Sequence, residues 1–423
     1  MKIYAGQLLP KDPETINKFT VNISDAVLND LKNRLESARY VQPLSDSQFS
    51  YGFNGDYLKQ VVDYWLTKFD WRKQEKELNK FNHFKTQING IDIHFIHVKP
   101  SKPAKTVVPL LAIHGWPGSV LEYYKALPML IEPTNDIAFE VILPSIPGYG
   151  FSEAPHQPGF SIISAANIFV KLMKRLGYNQ FFVHGGDWGS YISKVIAQTY
   201  PQNVIGLHTT LQQQQFDGMA GLKIMIGAYF PRLIYAEPDK AIEKLYPIKE
   251  KLYNGLRESG YAHIQATKPD TVGSALVDSP VGLAAYILEK FSTWTDLNNV
   301  HKPDGGLTKK FTLDQLLTNV MIYWVTGNVA SSMRFYKETV PILFTTDINR
   351  IPVSASVPAA VADFPSELGR LPIELARYQY ENLVQYTDMP RGGHFAAFEE
   401  PKLVVDDIKK FAKTVLELNQ IRK

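Results

Sequence analysis

A short glycine-rich segment, GGDWGS at 185–190, contains the residue best placed to form a covalent bond with a substrate. It lies between an apolar, strand-like stretch at 180–184 and a helical pattern at 188–199, which is the Gly-x-nucleophile-x-Gly arrangement of a strand-to-helix turn. Such a turn strains the backbone of its central residue, here Asp187, and presents that side chain above the sheet. The same letters also fit a glycine-rich turn in which Asp187 caps the helix, so the hypothesis depends on other motifs.

An aspartate at this position restricts the chemistry. A carboxylate can displace a leaving group at an sp³ carbon and form an ester with its substrate. The carbon atoms of epoxides and haloalkanes are centres of this kind. Hydrolysis of esters through a serine nucleophile is disfavoured, because no serine stands at the centre of the turn.

The segment HGWPGS at 114–119 follows a continuous apolar run of strand length. In a site of this type, the loop after that strand supplies one backbone N–H of an oxyanion hole, and the residue after the nucleophile supplies the other. The candidates are Trp116 and Trp188, and a cis bond between Trp116 and Pro117 would aim the Trp116 N–H inward. A tight turn over a packed aromatic ring fits the same letters and is compatible with this role. His114 is expected to shape the loop.

His394, in RGGHF at 391–395, has the place in chain order, after the nucleophile, that a catalytic base requires. It follows a late strand-like segment and precedes the last helical pattern, so it can reach back over the nucleophile. The carboxylate that fixes its tautomer and stabilises the imidazolium should lie between nucleophile and histidine in the sequence. Glu367, Asp363 and Asp388 all meet this condition, and spacing alone does not separate them.

Strand-like segments alternate with helical patterns through the middle of the chain, which predicts a mostly parallel sheet covered by helices on both faces. Strand-like segments fall at 91–95, where apolar and polar residues alternate, at 106–113, 139–143 and 180–184, and again at 352–360 and 383–386. Helical spacing marks 161–176, 188–199 and a final helix near the end of the chain. The sequence therefore predicts an α/β core.

Two regions depart from this alternation. The first ninety residues have the pattern of a helical leader, with Ser24 as the N-cap of one helix and a second helix at 57–69. The stretch after residue 211 is helical again and rich in tyrosine, leucine and methionine. We therefore expect a leader at 1–90, a core in two parts at 91–211 and 336–423, and a helical lid at 212–335 between those parts.

Composition excludes several other classes of function. The 423 residues include no cysteine, which rules out disulfides, thiolate metal sites and a cysteine nucleophile. The formal net charge is +3, with basic and acidic residues interspersed, so no surface for nucleic acid is indicated. No apolar run reaches the roughly 18 residues of a membrane span. We expect a soluble, cytoplasmic chain, or one associated with the endoplasmic-reticulum membrane if an N-terminal anchor precedes it.

Longer strings resemble the microsomal-type epoxide hydrolases over nearly the whole chain. Besides the segments above, the strings are YGFN at 51–54, FDWR at 69–72, PSIPGYGFSE at 144–153, TKPDTVG at 267–273, DSPVGLAAYILEKFSTWTD at 278–296, RFYKE at 334–338, FPSE at 364–367 and FAAFEEP at 395–401. The anchor of membrane-bound members is not recognisable at the N-terminus. We therefore expect their chemistry to carry over, whereas the resemblance does not fix a membrane location for this chain.

The resemblance implies an α/β-hydrolase fold and the hydrolysis of an apolar epoxide to a vicinal diol, in detoxification or in aromatic hydrocarbon catabolism. It assigns the acid to Glu367 and implies that two lid tyrosines, Tyr261 and Tyr336, hold the epoxide oxygen. Epoxide and water are the expected partners, no metal or organic cofactor is expected, and a homodimer is compatible with the sequence. Two alternatives stay open. One is a haloalkane dehalogenase with Trp116 and Trp188 as halide-binding groups, and the other is a catalytically silent binder of hydrophobic ligands.

Overall fold

A sheet of nine strands forms the centre of the chain in its computed structural model, which describes residues 12–134, 137–213 and 218–421. The strands are β1 (Asn17–Phe19), β2 (His83–Ile88), β3 (Ile91–Val98), β4 (Thr106–Ile113), β5 (Ile137–Pro144), β6 (Phe181–Gly185), β7 (Val204–Thr209), β8 (Ala359–Asp363) and β9 (Leu383–Asp388). Their order across the sheet is β1-β2-β3-β5-β4-β6-β7-β8-β9. The three pairs that join β1, β2, β3 and β5 are antiparallel, and the other five are parallel. The mostly parallel sheet predicted from the sequence is thus confirmed.

Eighteen α-helices lie in the same described residues. They are α1 (Asp25–Glu36), α2 (Gly55–Thr67), α3 (Trp71–Leu78), α4 (Leu127–Ile131), α5 (Ile162–Arg175), α6 (Asp187–Thr199), α7 (Gly218–Gly227), α8 (Pro231–Ile234), α9 (Pro238–Leu245), α10 (Ile248–Glu258), α11 (Gly260–Thr267), α12 (Pro269–Leu276), α13 (Pro280–Thr293), α14 (Leu313–Thr326), α15 (Val329–Thr345), α16 (Ile373–Ala376), α17 (Ala396–Glu399) and α18 (Pro401–Ile421).

Successive side chains of a strand point to opposite sides of the sheet. Helices cover both sides, so side chains on both faces are buried. In β4, Leu111 and Ile113 join the hydrophobic core that contains α5 and α6. Val108, Leu110 and Ala112 of the same strand join a second core, formed with α4 and α18. A strand buried on both faces has a continuous apolar sequence, which is why β4 could be predicted from end to end.

The N-terminal helices pack on the helical segment that follows β7. Helices α1 and α2 contact α13, and α2 and α3 contact α14. Within that segment, α11 and α12 pack against α15, and α13 packs against α14. An ion pair between Arg34 and Asp278, at 2.6 Å, joins the two regions at the surface. The leader is therefore placed to hold the helices above the sheet.

The leader is not only helical, as the sequence predicted, since it also supplies β1 and β2. The hydrophobic period that would reveal β2 is missing, because His83 and Thr86 are polar and yet buried. Ser24 does occupy the N-cap position of α1, but its side chain makes no capping hydrogen bond. The predicted N-cap position of Ser24 is therefore confirmed, without the capping hydrogen bond.

The strand predicted at 352–360 is also corrected, because β8 is formed by Ala359–Asp363. Only Val353 of the earlier residues forms a bridge, with Tyr380. Pro352 and Pro358 have no N–H for a strand ladder, so the segment between them forms a turn, in which Val353 and Val357 are buried and Ala355 is exposed. Helix α15 also crosses the predicted lid boundary at 335/336, and we propose that the lid extends to the end of this helix.

No single helix among the described residues is long and apolar enough to cross a membrane. Helices α12 and α13 together meet the length and composition criteria, but they are bent by 118° at the break between them.

Candidate active site

Asp187 is the first residue of α6, directly after the turn that ends β6, and its φ of +46° lies in the left-handed region. Residues other than glycine adopt this backbone conformation at a cost of about 1–3 kcal/mol. Two glycines make the turn possible by close approach. A Cβ atom at Gly189 would collide with the carbonyl oxygen of Ile113, and one at Gly115 would collide with the Asp187 carboxylate. The strained turn expected from the sequence is therefore present, with its carboxylate against the loop after β4.

The loop after β4 holds one oxygen of this carboxylate. The backbone N–H of Trp116 donates to Asp187 Oδ1 at 2.7 Å, and the Trp116–Pro117 bond is cis. Trp188 N–H makes no hydrogen bond to the carboxylate within the described chain. It lies in the first turn of α6, where backbone N–H groups have no partner inside the helix. Of the two N–H groups predicted for the oxyanion hole, that of Trp116 therefore donates to Asp187, and that of Trp188 makes no hydrogen bond to the carboxylate.

His114 shapes this loop, as the sequence predicted. Its Nδ1 donates to the carbonyl oxygen of Gly115 at 3.0 Å, and its Nε2 accepts from Ile146 N–H at 3.2 Å. Burial lowers the pKa of His114 to about 4, so the ring is neutral at physiological pH and can make both bonds.

His394 lies in the turn between β9 and α17 and faces Asp187 across the end of the sheet. Its Nε2 is 3.4 Å from Asp187 Oδ2, and its Nδ1 is 2.6 Å from Glu367 Oε1. The backbone holds the turn in place, because His394 N–H donates to Trp294 O at 3.0 Å. Glu367 Oε1 also accepts from the backbone N–H of Leu368 at 2.7 Å. The structure thus brings together three side chains that are far apart in sequence.

The two other carboxylates that the sequence left open are committed elsewhere. Asp363 is buried and pairs with Arg370 at 2.9 Å and with Lys244 at 3.2 Å. Asp388 pairs with Lys240 at 2.9 Å and with Lys244 at 2.5 Å. Within the described residues, Glu367 is thus the one of the three that contacts His394.

The carboxylates on either side of His394 control its protonation. Burial alone would lower the pKa of His394, but Glu367 and Asp187 outweigh burial and raise it well above the ordinary value of a histidine. With Asp187 ionised, the ring therefore carries a proton at neutral pH. Any change that removes the charge of Asp187 removes part of this effect and lowers the pKa of His394.

Tyr261 of α11 and Tyr336 of α15 lie over the two tryptophans of the turn and loop. The Tyr261 ring stacks on Trp116 with centroids 4.9 Å apart, and the Tyr336 ring meets Trp188 edge-on at 4.6 Å. Burial and the charge of Asp187 both contribute to raising the pKa of each phenol well above its ordinary value. The Tyr336 hydroxyl is buried and has no hydrogen-bond partner among the described residues. Both phenols are therefore protonated donors close to the carboxylate.

Two further residues, Trp294 and Glu122, lie beside these side chains and were not predicted from the sequence. The Trp294 ring lies 4.8 Å from the His394 ring and 5.0 Å from the Tyr261 ring, measured between centroids. It belongs to an apolar helical pattern in which nothing distinguishes it from core residues. Glu122 follows the loop after β4, and burial raises its pKa to about 8. The one signal for Glu122 was an acidic residue inside the otherwise apolar run VLEYY at 120–124.

Two families match the chain. "Epoxide hydrolase N terminus" matches residues 16–123, and "alpha/beta hydrolase fold" matches residues 108–329. Epoxide hydrolase 1 of Sus scrofa is 51% identical over 95% of this chain and 89% of that protein. Juvenile hormone epoxide hydrolase 1 of Ctenocephalides felis is 46% identical over 94% of this chain and 86% of that protein.

Solved structures agree with these relatives. The juvenile hormone epoxide hydrolase of the silkworm Bombyx mori superposes with a TM-score of 0.92 and 41% identity, over 97% of this chain and 96% of that chain. The Aspergillus niger epoxide hydrolase superposes with a TM-score of 0.78 and 30% identity, over 96% and 99%. The resemblance seen in the sequence is confirmed over nearly its full length, and the chain belongs to the microsomal-type epoxide hydrolases of the α/β-hydrolase fold.

Proposed function

We propose that this enzyme opens an apolar epoxide through an ester on Asp187 and then hydrolyses that ester with a water activated by His394. The observation that carries the proposal is the arrangement of the Asp187 carboxylate. Oδ1 is held by Trp116 N–H, whereas Oδ2 is 3.4 Å from His394 Nε2. One oxygen is therefore placed to become the carbonyl oxygen of an ester, and the other to bond to carbon.

In the first step, Tyr261 and Tyr336 donate hydrogen bonds to the epoxide oxygen, and Asp187 Oδ2 attacks a ring carbon from the opposite side. The C–O bond of the ring breaks, and a new C–O bond joins the substrate to Asp187. Negative charge develops on the departing oxygen, where phenol donors stabilise it most, and one phenol transfers its proton there. The buried, unpartnered hydroxyl of Tyr336 supports this role.

In the second step, esterification has removed the charge of Asp187, which lowers the pKa of His394. The ring gives up its proton, which restores the tyrosine, and the neutral ring becomes a base. His394 takes a proton from water, and the water oxygen attacks Cγ of Asp187. The oxyanion on Oδ1 accepts hydrogen bonds from Trp116 and Trp188 N–H. When the diol leaves, the second proton of the water goes to its oxygen, and His394 keeps the first. Glu367 orients the ring throughout.

The substrate class follows from the residues around the carboxylate. The rings of Trp116, Trp188, Trp294, Tyr261 and Tyr336 pack around Asp187 and provide mostly apolar surface. Some relatives are juvenile hormone epoxide hydrolases, so juvenile hormone belongs among the first epoxides to assay, beside styrene oxide.

One observation favours the alternative of a haloalkane dehalogenase. The indole N–H groups of Trp116 and Trp188 are buried without hydrogen-bond partners among the described residues, and a halide site needs such donors. The tyrosine pair favours the epoxide, because two phenols can protonate an alkoxide and a halide leaving group needs no proton. Release of chloride from a short chloroalkane, with no diol from styrene oxide, would establish the alternative.

A single-turnover reaction in water enriched in ¹⁸O tests the ester directly. With enzyme in excess, the first diol should contain only unlabelled oxygen, because its new hydroxyl comes from Asp187. Under multiple turnover the diol should become labelled, which is the internal control. Asp187→Ala should form no diol. A first-turnover diol with ¹⁸O in its new hydroxyl would mean that water attacks the epoxide directly.

A further inference from the structure

A small cavity of ≈ 10 Å³ lies beside the Asp187 carboxylate and is bordered by Gly115, Glu122, Asp187, His184, Thr210 and His394. A volume of this size corresponds to about one water molecule, and a buried water needs two to four polar partners. The cavity touches both the nucleophile and the base, whereas the two lid tyrosines are not among its lining residues. It is therefore a site for water and not for the epoxide.

The buried face of His394 points to such a water. Its Nε2 atom is buried and has no hydrogen-bond partner among the described residues, since its contact with Asp187 Oδ2 is long, at 3.4 Å. Only 2% of the His394 side chain is exposed, so bulk solvent does not satisfy this atom. A buried nitrogen without a partner carries a penalty of about 1–3 kcal/mol, which one water in the cavity would remove.

Glu122 gives the cavity its second polar wall. It lies in a 3₁₀ helix, Val120–Tyr123, directly after the loop that holds Asp187, between the buried residues Leu121 and Tyr123. Its carboxyl group fills the space beside Gly118, where a side chain would collide with it. Burial raises the pKa of Glu122 to about 8, with His394 opposing and Asp187 adding to this effect. His394 and Asp187 are thus its main charged neighbours.

Burial of an acidic side chain beside apolar residues is energetically unfavourable. A carboxyl group is disfavoured away from water unless it has partners. Hydrogen bonds from the backbone of Gly115 and Ser119 support the charged form of Glu122, and no lysine or arginine pairs with it in the described residues. Two such bonds do not use all the acceptor sites of a carboxyl group, so Glu122, which lines the cavity, can also hold a water there.

We propose that Glu122 is a positioning residue that orients the hydrolytic water. The water occupies the cavity, donates one hydrogen to a carboxyl oxygen of Glu122 and the other to His394 Nε2, and directs a lone pair at Cγ of Asp187. Its proton passes to His394 when its oxygen bonds to Cγ. Glu122 keeps its own protonation state and acts only by holding the water. This inference rests on the ester mechanism proposed above and adds a residue to its second step.

The test separates the two half-reactions in Glu122→Gln. Rapid mixing of excess enzyme with epoxide, followed by tryptophan fluorescence, measures ester formation, and quenched samples measure diol release. Ester formation should keep its wild-type rate, and hydrolysis should slow by roughly 10- to 100-fold, because a misplaced water attacks less often. The ester should then accumulate, so kcat and KM should fall together while kcat/KM stays unchanged.

Glu132→Gln is the matched control, because this surface carboxylate pairs with Lys102 and lies away from the cavity. Glu122→Asp keeps the carboxyl group but withdraws it by one methylene, and should slow hydrolysis less than the glutamine variant. A wild-type rate of hydrolysis in Glu122→Gln would overturn the proposal, as would equal slowing of both steps. If the wild-type enzyme itself formed no ester, the mechanism of the proposed function would fail instead, whatever Glu122 does.

Discussion

Nδ1 of His394 lies 2.6 Å from Oε1 of Glu367, and both side chains are buried at this contact. A hydrogen bond between a cationic ring and a carboxylate is strong in such surroundings, because little water screens the charges. The same contact fixes Nε2 toward Asp187. The relationship therefore sets both the orientation of the base and its affinity for a proton.

Glu367→Gln should lower the pKa of His394, because the carboxylate is the larger of the two groups that raise it. A group that favours the charged ring has been removed, so the ring loses its proton at lower pH. The rising limb of the pH profile for ester hydrolysis should move down by roughly one pH unit or more. NMR titration of ¹⁵N-histidine reports the pKa directly. An unchanged titration of His394 would remove Glu367 from the role of acid.

His394→Gln should separate the two chemical steps. Asp187 can still attack the epoxide, but no base activates the water, so the enzyme should stop as the ester. Intact mass spectrometry should show an adduct equal to the mass of the epoxide, located on Asp187 after digestion. His97→Gln is a control, because His97 also pairs with a carboxylate, Glu140 at 2.7 Å, but belongs to β3 and not to the turn that holds His394. Continued multiple turnover in His394→Gln would disprove the assignment of the base.

Tyr261→Phe and Tyr336→Phe should each slow ester formation by about 100-fold, since each removes one donor to the developing alkoxide. The double variant should be slower than either single variant. Hydrolysis of a preformed ester should change little, because the phenols act in the first step. Tyr124→Phe is a matched control, as its buried hydroxyl bonds to Leu78 O outside the site. Ester formation at the wild-type rate in the double variant would exclude the tyrosines from the mechanism.

The residues that could be predicted from the sequence are those that stand in local motifs. Asp187 and Trp116 lie in turns whose glycines are required by close approach, and His394 has a fixed place in chain order. Glu367 could not be separated from Asp363 by spacing, because the choice depends on which carboxylate is taken by buried cations. The cations that pair with Asp363 are Arg370 and Lys244, which come from different parts of the chain.

Local sequence patterns could not predict the two lid tyrosines or Glu122, for a different reason. Tyr261 and Tyr336 are two of 22 tyrosines, and they meet only because α11 packs on α15. The resemblance to a family supplied them, whereas helical spacing did not. Glu122 owes its properties to a cavity formed by four separate segments of the chain, and no single segment reveals it. Strand β2 was missed because its buried side chains are partly polar.

Asp363→Asn should affect stability and leave the chemistry intact. The carboxylate neutralises Arg370 and Lys244, whose side chains are only 13% and 3% exposed. Without Asp363, these two cations keep only the more exposed carboxylates of Asp388 and Glu243, so the free energy of unfolding should fall by about 3 kcal/mol. Urea denaturation measures this loss, and Asp388→Asn, whose carboxylate is 30% exposed, should lose less. The folded Asp363→Asn enzyme should keep the wild-type pH profile of ester hydrolysis. If that profile shifted while Glu367→Gln left it unchanged, Asp363 would have to act on His394 through a rearranged loop, and the acid would be reassigned.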